Sequence, residues 1–405
     1  MVPPGLRGSP LIGLSTKTDT VAGVMRRRPL SCLATLVLTA ACGTQVAPAP
    51  TINSAEPSPG LAAAALAAFT EALSGQAPGP LTGAEATAVG NAKAIGINGV
   101  SMRYIDAATA AAADGSWTGD VIISWRVRGE KPAEEQIGVT FAQSGGAGQI
   151  SGFGGTGRPV PLWLLAPVTV TRSGGVTVIS EGRNPAPYLR MGLRAIQQVQ
   201  QTLAWPNAHL TLEVPADEST LEEVSGSAAG SYKGVAAFTG PVDGRTQGPV
   251  HIFINPAVIG TGRDAQIVLT HEATHAATDA ATNPRLPAWV REGFADYVAL
   301  RAQTLPLRVS ADRVLATVRK SGPPAALPTD ADFNSLAEDF GEEYQFAWLV
   351  WRYLGETGGP AAAVRFYNAV GAGASVDSAL RATYNGLSEA ALTAQWRAYL
   401  VKLAR

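Results

Sequence analysis

The sequence predicts an α+β fold in two parts: helices followed by strands, and then a region that ends in helices. Residues 61–73 form an Ala-rich segment of helical character, and residues 84–95 form another. Short strand-like runs separated by turns follow, and helical spacing dominates the second half of the chain. The 405 residues are 46% hydrophobic and 16% charged, which is enough apolar content for two cores.

Strand-like runs after the two helices predict the sheet of the first part. They lie at residues 100–105, 119–127, 136–142, 162–171 and 176–180. We interpret Trp117, Trp125 and Trp163 as core or sheet-face residues, with a ligand cavity between sheet and helices as the alternative. Helices followed by a curved antiparallel sheet resemble the layout of an NTF2-like domain, which we expect over residues 61–183.

The second part, residues 184–405, opens with a mixture of helices and strands. The predicted elements are helices at 188–203 and 219–224 and strands at 210–214, 235–239 and 250–254. The strand at 250–254 is apolar enough to lie inside a sheet, so we expect the strand at 235–239 to form the edge. His251 is then a partly buried strand residue, and His209 is a loop or strand-start residue.

Helical spacing continues from residue 266 to the end of the chain. Residues 266–278 predict one helix, and Pro287 marks the first turn of the next. Further helices are predicted at 309–320, 344–356, 361–370, 375–384 and 389–403. Gly or Pro separates most of them. We therefore expect a helical lobe, with a cleft between it and the sheet-bearing part.

The segment that says most about function is His271-Glu272-Ala273-Thr274-His275, an HExxH pattern in a chain with only four histidines. Residues four apart lie on one helical face, so His271 and His275 can bind one metal while Glu272 projects toward a bound water. Glu292, early in the next helix, completes the His2Glu set of catalytic zinc and leaves a fourth position for water or substrate. A histidine pair without a metal is the alternative.

Asp296 lies four residues beyond Glu292 and therefore on the same face of its helix, directed at the helix with the histidines. A ligating imidazole usually donates its second ring N–H to a carboxylate or a carbonyl. We therefore assign Asp296 to His271. The alternative is a surface aspartate that makes a local ion pair.

These residues resemble the gluzincin peptidases, in particular the bacterial peptidase MA-like proteins, over roughly residues 185–402. The match is specific at the HExxH and at the Glu-Gly-x-Ala-x-Tyr that begins at Glu292. The resemblance implies one zinc ion per chain and metal-assisted amide hydrolysis, in which Glu272 takes the proton of the water. It also implies that Tyr344, on a later helix, stabilises the oxyanion. The spacing of Tyr344 with the tryptophans that follow fits a core stripe equally well.

Residues 25–42 resemble a bacterial lipoprotein signal. Met25-Arg26-Arg27-Arg28 is a basic start, residues 30–41 form a short apolar run, and Cys42 follows two alanines. We expect residues 1–42 to be a leader whose translation starts at Met25. Cys42 would then carry a lipid anchor that tethers the chain to the outer face of the cytoplasmic membrane. A simple secretory signal without lipid is the alternative.

The remaining features before residue 61 concern the linker and the source. Residues 43–60 are rich in Pro, Ala, Ser and Thr and predict a flexible linker. Cys32 lies inside the leader and Cys42 at its end, so we expect no disulfide in the mature protein. The Ala, Gly and Pro richness is typical of a high-GC bacterial genome, such as an actinobacterial one.

Composition and motif together narrow the function. A net charge of −1, with the arginines at 26–28 assigned to the leader, predicts no nucleic-acid partner. We expect an extracytoplasmic zinc peptidase whose peptide or protein substrate lies extended along the edge strand at 235–239. An aminopeptidase, with Glu342 or Glu343 near the substrate amine, and an endopeptidase both stay open. The alternatives are a tethered binding or scaffold protein without activity, and a zinc hydrolase of a non-peptide acyl bond.

Overall fold

A computed structural model describes residues 56–76, 79–144, 146–303, 305–333 and 340–405. The predicted leader with Cys42 and most of the predicted linker lie outside these residues. The described part of the chain is a mixed α+β structure, as the sequence predicts. No helix in it combines the length and the apolar character that crossing a bilayer requires.

Two helices and a four-stranded antiparallel sheet form the first unit. They are α1 (Pro59–Leu73), α2 (Gly83–Ile95), β1 (Ile97–Ala107), β2 (Trp117–Val127), β3 (Pro132–Ser144) and β4 (Ala147–Phe153). Thr82 and Glu85 start α2 with a capping box, in which each backbone N–H donates to the other side chain. Trp117, Trp125 and Trp163 are buried in the core of this unit, which confirms their interpretation as core residues.

The region after β4 differs from the sequence prediction. Leu162–Leu165 form a short helix, α3, and the strands β5 (Val168–Ser173) and β6 (Val176–Glu181) follow it. β6 pairs in parallel with β7 (Leu210–Val214), so the prediction that β5 and β6 continue the first sheet is wrong. The reason is that a parallel pairing joins residues far apart in sequence, whereas local spacing reports only that each run is a strand.

The second sheet has the strand order β5-β6-β7-β9-β8, where β8 is Ala237–Pro241 and β9 is Val250–Ile254. β9 pairs in parallel with β7 and antiparallel with β8. The apolar strand β9 is therefore inside the sheet and β8 is at its edge, which confirms the prediction. Helix α4 (Ala186–Gln200) connects β6 to β7, and α5 (Glu218–Ser225) packs into the core of the first unit.

The rest of the described chain is helical, which confirms the predicted lobe. It comprises α6 (Arg263–Ala277), α7 (Ala288–Arg301), α8 (Leu307–Ser310), α9 (Asp312–Ser321), α10 (Phe340–Gly371), α11 (Val376–Thr383) and α12 (Glu389–Ala404). α10 consists of two helical segments that meet at Gly359. This glycine has a φ of 77° and directly precedes Pro360.

A close approach of α7 to α10 fixes the helix that carries Glu292. A Cβ atom at Gly293 would lie 2.6 Å from Cδ1 of Trp351 and 2.7 Å from the backbone of Ala347. The two helices can touch here because residue 293 has no side chain. The indole Nε1 of Trp351 also donates to the carbonyl oxygen of Trp289 at 3.2 Å. These contacts hold the first turns of α7 in place against the lobe.

Candidate metal centre

Helices α6 and α7 bring three potential ligand atoms together. His271 Nε2 and His275 Nε2 are 2.9 Å apart, and Glu292 Oε2 lies 3.2 Å from each of them. The three residues are 0%, 2% and 1% exposed, respectively. Two histidines one helical turn apart and a carboxylate from the next helix thus share one buried point. This group could hold a metal ion.

The spacing of these atoms fits a tetrahedral cation. Bonds of about 2.0–2.1 Å from zinc to nitrogen or oxygen place two tetrahedral ligands about 3.3 Å apart. The observed separations of 2.9 and 3.2 Å are close to that value. Burial lowers the pKa of His275, which favours the neutral imidazole that a cation needs as a ligand, whereas Asp296 and Glu292 outweigh burial and raise the pKa of His271 to about 10, so a cation must displace a proton there.

Asp296 lies on the far side of His271 from this point. His271 Nδ1 donates to Asp296 Oδ1 at 2.7 Å, and Asp296 is itself 4% exposed. The helical spacing in the sequence predicts this pairing of Asp296 with His271, and the structure confirms it. When a cation displaces the proton of Nε2 and Nδ1 keeps its own, the lone pair of Nε2 faces His275 and Glu292.

Replacing Asp296 should weaken metal binding without removing a ligand. In Asp296→Asn, the amide oxygen can still accept from His271 Nδ1, but the negative charge that makes the imidazole a stronger ligand is lost. We expect the affinity for an added divalent cation to fall about 10- to 100-fold, measured with zinc by competition with a chelating dye. Asp279→Asn, which removes an exposed charge just beyond α6, is the control. Equal affinities in the two variants would contradict this role.

Glu272 is buried beside the ligands and is held by the edge strand β8. Thr239 Oγ1 lies 2.7 Å from Glu272 Oε2 and 3.0 Å from the backbone oxygen of the same residue. Glu272 Oε1 is buried and has no hydrogen-bond partner among the described residues. Burial raises the pKa of Glu272 to about 7, although His271 and Thr239 act in the opposite direction. The carboxyl group can therefore exchange a proton near neutral pH.

The second oxygen of Glu292 is bound by a neighbour that the sequence reasoning missed. Arg291 Nε donates to Glu292 Oε1 at 2.8 Å. Because one oxygen is engaged in this way, Glu292 offers a single oxygen, Oε2, to the point shared with the histidines. Thr239 was also missed as a contact of Glu272, since no motif marks it. Its place on the predicted edge strand was the available signal.

Tyr344, at the start of α10, is 4% exposed and packs edge-on against Phe333 with ring centroids 5.1 Å apart. Burial raises its pKa well above 10, and the negative charges of Glu292 and Asp296 add to this effect. The phenol therefore keeps its proton and lies within electrostatic range of the metal-site carboxylates. Core packing and hydrogen-bond donation are both consistent with this position.

The two other histidines lie away from the metal centre. His209 is exposed in the loop just before β7, as predicted. His251 on β9 is 4% exposed and lies between two carboxylates, with Nδ1 2.6 Å from Glu213 and Nε2 2.9 Å from Glu130. His251 is thus a strand residue with a structural role, as predicted, and it is more deeply buried than expected.

A cavity of about 590 Å³ runs along β8. Thr239 and Arg291 line it, and these residues contact Glu272 and Glu292, respectively. A larger cavity of about 720 Å³ lies elsewhere, between the end of α2, the β2–β3 turn and the β5–β6 hairpin. Of these two cavities, the one along β8 is lined by partners of the metal-site residues, so we regard it as the approach to the site.

No protein-family model, curated protein or solved structure matches the chain. What the site can do therefore follows from its own side chains. The metal-site group combines two imidazoles and one carboxylate at a buried point, with the acids Glu272 and Asp296 beside it. Such an arrangement can hold a divalent cation and move a proton next to it.

Proposed function

We propose that this chain is an extracytoplasmic zinc peptidase that hydrolyses peptide bonds with water and uses one zinc ion per chain. The observation that carries the proposal is the convergence of His271, His275 and Glu292 on one point, with Glu272 alongside. Structural zinc sites are normally closed by four protein ligands, whereas catalytic sites use three. Within the described residues the group has three members.

The donor set supports zinc as the cation. Two imidazole nitrogens and a carboxylate oxygen are usual ligands of catalytic zinc, whereas calcium and magnesium prefer oxygen ligands alone. Zinc held here would polarise the scissile carbonyl group and lower the pKa of water. His271 and His275 would provide their Nε2 atoms, and Glu292 its Oε2.

Glu272 and its neighbours are the proposed proton-transfer groups. Thr239 fixes Oε2 of Glu272, which leaves Oε1 to take a proton from the attacking water and then pass it to the leaving amine. The raised pKa of Glu272, about 7, suits both steps. Tyr344, which keeps its proton, is the proposed donor to the carbonyl oxygen as negative charge develops on it.

The proposal also covers the type of each of the two domains and the cellular location of the protein. Ligands from two successive helices followed by a helical lobe support a gluzincin-like catalytic domain. Two helices with a four-stranded antiparallel sheet support an NTF2-like first domain. The lipoprotein-type pattern that ends at Cys42 supports export and a lipid anchor on the outer face of the membrane.

Removal of the metal tests the proposal directly. We expect the purified chain to contain one zinc per molecule and to hydrolyse peptides. Dialysis against a chelator should remove both the zinc and the activity, and one equivalent of zinc should restore the activity. Elemental analysis and a fluorogenic peptide assay provide the two measurements.

Each other outcome of this experiment points to a different function. A folded chain that takes up no stoichiometric metal would contradict the proposal. Zinc uptake without hydrolysis of any acyl bond would favour the scaffold alternative, and turnover of esters without turnover of peptides would favour the other hydrolase.

A further inference from the structure

The cavity along β8 is lined by uncharged residues apart from one cation. Among its described lining residues, Arg291 is the only charged side chain, and none is a carboxylate. Residues 280–284, which follow α6, also line the cavity. We call this cavity the β8 groove.

One side of the β8 groove is an aromatic wall. Tyr232 and Phe238 are stacked with ring centroids 4.9 Å apart and an interplanar angle of 6°. Phe238 and Phe253 are stacked at 5.0 Å and 20°. Val224 and Val242 extend the wall. Tyr232 and Phe238 are only partly buried, so they offer apolar surface to a ligand.

The β8 groove and the metal centre share a contact through Thr239 on the edge strand, which lines the groove and contacts Glu272. Thr239 is buried, whereas the side chain of Phe238 lies on the opposite face of β8. A peptide paired with β8 would therefore alternate its side chains between the two faces. One set would lie toward the metal centre and the other toward the aromatic wall.

On the basis of the proposed function, we propose that the β8 groove binds an internal segment of a peptide and places an uncharged aromatic or apolar side chain against Tyr232 and Phe238. The chain is then an endopeptidase. A substrate amine needs a carboxylate partner, and the described groove lining offers only the cation of Arg291. Glu342 is not part of this lining and accepts from Thr317 Oγ1 at 2.8 Å.

Peptide turnover tests this inference separately from the proposed function. We use N-acetylated octapeptides that differ only in a central Phe or Lys, and the Phe peptide with a free amine. The acetylated Phe peptide should be cut internally with a kcat/KM at least about tenfold above that of the Lys peptide, because burial of a charged side chain is costly. Stepwise release of amino-terminal residues would overturn the inference and leave the zinc peptidase in place.

Substitutions in the groove test whether the aromatic wall causes the preference for the Phe peptide over the Lys peptide. Tyr232→Ser should raise KM for the Phe peptide about tenfold and leave the Lys peptide unchanged. The matched control is Tyr353→Ser, which removes another partly buried tyrosine that contacts a second ring and whose hydroxyl is hydrogen-bonded, but on the helical lobe. Thr246→Glu, which places a carboxylate at an exposed position of the groove lining, should improve turnover of the Lys peptide. Equal effects of Tyr232→Ser on both peptides would overturn the inference.

Equilibrium binding provides a readout that does not depend on catalysis. The zinc-loaded Glu272→Gln protein should bind the fluorescently labelled, acetylated Phe peptide at least about tenfold more tightly than the Lys peptide. Adding Tyr232→Ser should remove that difference. Equal binding of the two peptides would overturn the inference even if no peptide is hydrolysed, whereas selective binding without hydrolysis by the wild type would count against the proposed function alone.

Discussion

Glu272→Gln should yield a folded, zinc-loaded protein that hydrolyses peptides about 10²- to 10⁴-fold more slowly than the wild type. The amide has nearly the shape of the carboxyl group, and its oxygen can still accept the hydrogen bond from Thr239 Oγ1. It cannot take a proton from water. Since Glu272 is not among the three proposed ligands, the zinc content should stay at one per chain. Elemental analysis and kcat on a blocked peptide measure the two effects.

Two further variants are compared with Glu272→Gln: one that removes a proposed ligand and one that changes a glutamate outside the site. His275→Ala removes a ligand atom and should lose zinc and activity together. Glu342→Gln is the matched control, because Glu342 also accepts a hydrogen bond from a threonine, but on α10 against α9. It should retain both zinc and activity. Wild-type turnover by Glu272→Gln would remove this carboxylate from the mechanism.

The grouping of the candidate metal ligands could be predicted from the sequence because these residues lie close together in the chain. His271 and His275 are separated by one helical turn, and Glu292 follows in the next helix, so helical spacing alone brings the three side chains to one side of two neighbouring elements. Asp296 follows by the same rule. The edge position of β8 was also predictable, since β9 is the more apolar of the two strands.

Contacts between distant segments could not be read in this way. Thr239 contacts Glu272 across 33 residues, and the aromatic wall combines rings from β8, β9 and the segment before β8. The parallel pairing of β6 with β7 depends on where α4 returns the chain. Local composition identifies such residues as strand or loop, but the partner of each one is decided by tertiary packing.

His251 provides the clearest case of such a long-range contact. It lies on β9 of the second sheet, and its partners are Glu213 on β7 and Glu130 in the turn between β2 and β3 of the first sheet. The three side chains are 5%, 10% and 9% exposed, respectively. Thr211 Oγ1 also donates to Glu130 at 2.8 Å. This cluster therefore ties the first unit to the middle of the second sheet.

The stabilisation that this cluster contributes should depend on pH, because His251 is positively charged only when it is protonated. Burial lowers the pKa of His251, but Glu130 and Glu213 outweigh that effect and raise it to about 10. A group whose pKa is raised by folding stabilises the native state. That contribution is complete when the pH is below the pKa of the group in the unfolded chain, about 6.5 for histidine, and it is lost as the pH rises through the pKa in the folded protein, about 10. The free energy of unfolding should therefore decrease between these two values.

His251→Gln should lower the free energy of unfolding by about 3–5 kcal/mol at pH 6, because Glu130 and Glu213 then remain buried without a cation between them. The difference from the wild type should shrink as the pH is raised toward 10, where the histidine of the wild type loses its proton. Urea unfolding followed by tryptophan fluorescence at several pH values measures both quantities. His209→Gln is the comparison: it removes an exposed imidazole whose charge also lowers the pKa of Glu130, but it leaves no carboxylate buried without a cation, so it should lower the stability by less than about 1 kcal/mol. A difference between His251→Gln and the wild type that stays constant from pH 6 to pH 10 would show that packing, and not the charge on His251, holds the two units together.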